Sequence, residues 1–264
     1  MEKALALALV IVTLCIPVCA DSNGVDLSKN VGEWIPSGYA SVTWQQKYIG
    51  LRVSREFYDD SMLWKELQLN LPANFFLNLW WSNDLQDWDL ASSSGDEFDI
   101  TIGWQTKVFG LDLMTSASQY TCLPNPGFWG EGHALSGDVI MSRTIPLTEK
   151  QKVTPALWVG YLSMNTSLDG SSIYVLPNVK HNWVNPFGIE QLTFSQTLMF
   201  PWDNGFMGND PDGWFVRWMP ALNWKLSKHL TLTAPSAIIL EPIIKPHDGR
   251  DSATSLNFSL TYDF

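Results

Sequence analysis

The chain has 264 residues, 45% hydrophobic and only 16% charged, and its 16 Lys and Arg against 27 Asp and Glu give a net charge of −11. So apolar a chain is no disordered tail, and one without clustered basic residues lacks the footprint of a nucleic-acid binder. Its 14 Trp, 13 Phe and 7 Tyr suit a protein with one wet and one greasy boundary, because indole and phenol rings join an apolar body to a polar tip.

Met-Glu-Lys, an apolar run from Ala4 to Val18, and small residues up to Ala20 open the chain. This order reads as a secretory signal peptide over residues 1–20, cleaved after Ala20. Pro17 breaks the run, which is too short for a helical span of about 20 residues. Residues 21–37 are expected as an N-terminal periplasmic segment. Cleavage leaves Cys122 as the sole cysteine, so an internal disulfide and cysteine-based metal frameworks are not expected, and no cofactor is expected.

Beyond Ala20 no stretch approaches about 18 consecutive apolar residues, so a membrane crossing must use strands. Period-2 segments supply them. In Gly95–Gln105, Phe98, Ile100, Ile102 and Trp104 alternate with Glu97, Asp99, Thr101 and Gly103, the mark of a half-buried strand. In Ala73–Asn83, Phe75, Leu77, Leu79 and Trp81 share one face, interrupted by Phe76 and Trp80. Reading every such segment gives about twelve strands, at 38–53, 62–71, 73–83, 95–106, 109–120, 134–145, 152–164, 170–180, 189–200, 213–226, 228–240 and 252–264. Joins alternate between tight turns, as at Pro72 and Ser227, and long polar loops, as in LQDWDLASSSG and PWDNGFMGNDPDG. Short turns at one rim and long loops at the other are the pattern of an outer-membrane barrel. The expected fold is therefore an all-β transmembrane antiparallel up-and-down barrel over residues 38–264. HNWVNPFGI at 181–189 departs from the rule, as either a longer periplasmic turn or a sign of a miscounted strand pair.

The final strand places Leu256, Phe258, Leu260, Tyr262 and Phe264 on one face. In a closed barrel this strand pairs with the first, with those residues toward lipid. Phe258, Leu260, Tyr262 and Phe264 also resemble the recognition signal read by the barrel-assembly machinery. Trp81, Trp104, Trp214, Trp224 and Phe264 are expected in the aromatic girdle. Parity sends Glu97, Asp99 and Asp263 inward, with Asp112, Asp138 and Arg217, and Lys225 beside them. Carboxylates that outnumber cations in a lumen favour cation passage. Bilayer lipid, lipopolysaccharide and small solutes are the expected partners.

KYIGLRVSREFYDDSMLWKELQLNL, ANFFLNLWWSND and GDEFDITIGWQ together resemble the TorF-type porins of Gram-negative bacteria over residues 40–120. The matching positions are Tyr48 and Arg52, then Trp80 or Trp81 with Ser82 and Asn83, then Glu97 and Asp99; Val53 stands where that family usually has Gly. The resemblance implies an outer-membrane barrel with porin-like passage, and places Tyr48 and Arg52 in the first strand.

Other chemistry is thinner. His229 and Thr231 sit two apart, the spacing with which an outer-membrane lipid hydrolase aligns a base and a hydroxyl, but Thr is an unusual nucleophile and no orienting group is evident. Asp203, Asp210 and Asp212 are hard oxygen ligands of the kind calcium takes, yet Pro211 interrupts them and a solvated turn explains them more simply. A barrel plugged by its own side chains is the third reading, because twelve strands lie between filled and open barrels.

Overall fold

The computed structural model describes residues 35–52, 54, 56–85, 97–122, 133–165, 170–203, 214–244 and 250–264. The expected signal peptide, its cleavage site and most of the 21–37 segment lie outside them, as do Asp210 and Asp212. Twelve strands form the wall: β1 Ser37–Gln45, β2 Met62–Asn70, β3 Phe75–Asp84, β4 Glu97–Val108, β5 Leu111–Cys122, β6 His133–Ser142, β7 Gln151–Asn165, β8 Gly170–Val184, β9 Leu192–Met199, β10 Trp214–Lys225, β11 Leu230–Ile244 and β12 Ala253–Asp263. Each pairs antiparallel with its neighbours in sequence, and β12 returns to β1 with Tyr39 opposite Asp263 and Gln45 opposite Asn257. Phe264 and Gly38 exchange backbone hydrogen bonds of 3.0 and 3.1 Å at the closing edge. The barrel is closed, so it presents no unpaired strand edge to lipid.

The pattern of exposure is inverted relative to a soluble sandwich. Along β12, Leu256, Phe258 and Leu260 are each 44% exposed, whereas Ser255 and Asn257 are buried. An apolar outer face and a polar inner one are what a transmembrane barrel requires. Leu77, Leu79 and Trp81 likewise share the outer parity of β3, and Phe76 and Trp80 turn inward.

HNWVNPFGI spans the end of β8 and a short helical turn, Pro186–Gly188, before β9. It is a longer turn, and the count of twelve stands. Phe109 and Gly110 make the two-residue turn between β4 and β5 with φ of 51° and 78°, the left-handed geometry whose twist matches that of the flanking strands.

Two glycines shape the inner wall. Phe76 lies across Gly103, directly opposite it on β4, and Tyr174 lies across Gly160 on β7. A Cβ at either glycine would overlap the ring, so the missing side chain lets each aromatic lie flat against the wall.

Candidate functional site: a loop folded into the lumen

The principal departure from the sequence reading lies at the first strand, which stops at Gln45 rather than running to residue 53. Parity supplies the reason. Had β1 continued, Gln46, Tyr48, Gly50 and Arg52 would have followed Val42 and Trp44 onto the lipid face, where an arginine is strongly disfavoured. Instead the backbone leaves the wall after Gln46 donates to the Leu256 carbonyl at 2.9 Å, and the Lys47 amide donates to Ser255 Oγ at 3.1 Å. A small ribbon, Tyr48–Ile49 against Glu56–Tyr58, turns the chain across the lumen.

This crossbar is anchored on two sectors of the wall by two arginines. From β10, Arg217 donates through Nη1 to the Leu51 carbonyl at 2.6 Å and through Nη2 to the Gly50 carbonyl. Its side chain is 0% exposed; the two carbonyls take the place of a carboxylate partner. From the crossbar itself, Arg52 reaches the sector formed by β5 to β8. Its Nε donates to Tyr174 Oη at 3.0 Å, its Nη2 lies 3.6 Å from Asp138, and its guanidinium sits 5.1 Å from the Tyr120 ring centre and 4.9 Å from that of Trp158. Asp138, 1% exposed, also accepts from Trp158 Nε1 at 2.6 Å, from Ser136 Oγ at 2.9 Å and from Tyr174 Oη. Charge-assisted bonds of this kind are the stronger ones, and together they hold the buried carboxylate in place against Arg52.

Tyr48 and Tyr58 tie the bar to a third sector of wall. Tyr48 Oη donates to Glu97 at 3.1 Å and Tyr58 Oη to Asp84. The Tyr48 ring packs 5.5 Å from Phe57 and 6.1 Å from Trp80. Burial first, and then the Glu97 carboxylate, push the Tyr48 phenol well above its usual range. At the exposed base of the bar Lys47 pairs with Asp59 and, at 3.5 Å, with Glu56; the hydrogen bond from Lys47 lowers the Asp59 carboxyl. Apolar groups complete the filling. Phe57 packs with Tyr120 and Ile140 against Trp158, Tyr174 and Leu176, and Ile49 packs against Phe215 and Leu240.

The expected lumen residues fall on the inner parity, but in unequal circumstances. Glu97, Asp99 and Asp138 lie at the crossbar, Arg217 holds it, and Asp112 and Asp263 stand near the turn end, where Asp112 is paired with Lys107 at 3.0 Å. A ring of free carboxylates is therefore not what lines this lumen, and the inward cations are more numerous than parity reading of the clean strands gave. Lys107, Lys152 and Lys180 join Arg217 and Lys225, as their partners across the ladders, Asp112, Asn182 and Thr154, place them. Trp81, Trp104, Trp214 and Trp224 take the outer parity. Trp104 Nε1 donates to the Ala73 carbonyl at 3.1 Å and Trp224 Nε1 to the Ala234 carbonyl at 2.9 Å. His229 occupies the turn before β11, its Nδ1 2.9 Å from the Asp263 carbonyl and its ring against Tyr262; this arrangement turns it away from the inner face that holds Thr231. Asp203 extends a short pairing with Tyr174. Among the described residues no group of three or more His, Cys, Asp or Glu side chains is placed to hold a metal ion.

Three solved structures share this architecture. The KdgM porin superposes with a TM-score of 0.51 at 10% identity, over 87% of this chain and 99% of that one. An outer-membrane channel from Pseudomonas putida F1 gives 0.51 at 12%, over 92% and 100%. LpxR from Salmonella typhimurium gives 0.51 at 10%, over 86% and 100%. At such identities the likeness is one of fold. No protein-family model and no curated protein matches the sequence, so the resemblance to TorF-type porins rests on its motifs alone.

Proposed function

We propose that the protein is a porin-like channel of the bacterial outer membrane that passes small solutes, with its infolded first loop as the constriction and no catalysis. The observation that carries this reading is the crossbar, anchored on several sectors of the wall of a closed barrel of porin-like architecture. The long loops face outward and the short turns the periplasm, and the lipid face meets phospholipid and lipopolysaccharide after delivery by the barrel-assembly machinery. Glu97 and Asp99, side by side on the inner face of β4 with Tyr48 bonded to the former, bias the constriction toward cations.

The apolar clusters behind the crossbar favour a second reading, a barrel closed at rest. Single-channel recording of the refolded protein in a planar bilayer separates the two. Discrete conductance steps that enlarge when residues 47–57 are replaced by a short Gly-Ser linker support the channel. Absence of current from both proteins refutes it. The hydrolase alternative draws nothing from His229, whose ring packs on Tyr262, an outer-face residue, away from Thr231.

A further inference from the structure

Below the crossbar the lumen changes character. Most inward positions there are amides, hydroxyls and charges, with Phe76 and Met114 among them, and the lysines are clustered on one wall. Lys152 stands on β7 opposite Asn182 of β8, and Lys180 lies two residues along the same face of β8. Across an antiparallel pair, that diagonal separation is about 7–8 Å. Lys225 continues the wall on β10, opposite Thr231 of β11. All three lysines are exposed within the structure, and among the described residues none forms an ion pair. The acids of this half stand apart from them: Asp112 is paired with Lys107, Glu66 on β2 across the barrel accepts from Tyr39 and Asn78, Asp263 stands on β12, beyond β11 from Lys225, and Glu149 and Glu190 lie in the turns outside the strands.

We propose that the turn-end half of the lumen is an anion vestibule, in which Lys152 and Lys180, with Lys225 at the rim, concentrate small oxyanionic solutes, carboxylates or phosphates. The amide of Asn182 and the hydroxyls of Thr154 and Thr197 supply neutral donors around the two ammonium groups. This inference goes beyond the channel reading: it concerns the local potential at one mouth, opposite in sign to that of the constriction, and does not require that current flow.

The test uses that independence. Asn182 lies between the two lysines on the inner face, so N182C in a C122S background reports the potential there through its rate of reaction with anionic and cationic methanethiosulfonates. Two unit charges about 7 Å away in water, screened at about 0.1 M salt, speed the anionic reagent about three-fold and slow the cationic one by a similar factor. The anionic-to-cationic ratio should fall about nine-fold in K152Q/K180Q, and the difference should vanish near 1 M salt. Both lysines are exposed, and heat-modifiable migration confirms that each variant is folded. Inorganic phosphate and acetate, added separately as competitors, distinguish a phosphate site from a carboxylate site; slowing of the anionic reagent by neither, or a ratio unchanged by the substitutions, overturns the vestibule. A protein that passes no current yet keeps the charge-dependent ratio loses the channel reading and retains the vestibule.

Discussion

Replacing Arg52 by Ala should release one end of the crossbar while leaving the wall intact. Arg52 supplies a hydrogen bond to Tyr174, an ion pair to Asp138 and contacts with two aromatic faces. Removing one partner of a buried pair costs roughly 3–5 kcal/mol, and cation–π contacts add about 0.5–2 kcal/mol when desolvated. Because 24% of the Arg52 side chain remains exposed and Asp138 keeps three neutral donors, the lower end applies, about 3 kcal/mol. That is a factor of about one hundred in the local opening equilibrium. Hydrogen exchange of the refolded protein, read by mass spectrometry on peptides covering residues 46–58, should accelerate by that factor, while peptides from β7 and β8 keep their protection. If the 46–58 peptides exchange within about threefold of wild type, less than a tenth of the expected change, the arginine is not what holds the bar. Global loss of protection would instead place Asp138 and Arg52 in the stability of the barrel.

Four further outcomes are expected. Deleting Phe264 removes a pair of closing hydrogen bonds to Gly38 and should lower the yield of heat-modifiable folded barrel in the outer membrane at constant transcript level. E97Q/D99N should shift the reversal potential in a potassium chloride gradient toward zero, and a potential that stays put removes these acids from selectivity. H229A should leave lipid A and phospholipid acylation unchanged on mass spectrometry of membrane extracts. Tyr48 has a phenol pKa raised in the folded state, so its contribution to the crossbar is fully present below the ordinary tyrosine value of about 10 and is lost as pH rises past it. Exchange protection of residues 46–58 should therefore fall in strong alkali, and Y48F should be less sensitive to that rise.

Much of the wall was legible because membrane strands obey a strict two-residue rule. Phe98 to Trp104 and Leu256 to Phe264 alternate without error, and the contrast of the Phe109–Gly110 turn with the polar run after Leu85 separates the two rims. The crossbar was not legible from alternation alone, since KYIGLRV alternates well enough to extend a strand. The contrary signal was Arg52 itself, which a continued strand would send into lipid. Cations were undercounted for a related reason. Lys152 and Lys180 sit in strands whose outer positions include Gln151 and His181, so neither face reads as wholly apolar and parity assigns no side. Pairing of Arg52 with Asp138 joins residues far apart in sequence on a loop and a wall, and nothing local records it.

The flat seating of Tyr174 over Gly160 gives one atom two duties. The ring follows the contour of the barrel only because position 160 has no side chain, and its hydroxyl is also the acceptor that receives Arg52 at 3.0 Å and the donor that faces Asp138. The calibre of the bore and the latch of the bar are thus mechanically linked. A single methyl added at Gly160 would tip the phenol toward the axis, narrowing the passage at the wall while withdrawing the hydroxyl from the latch, so the smallest possible enlargement of a side chain would obstruct the bore and loosen its obstruction together.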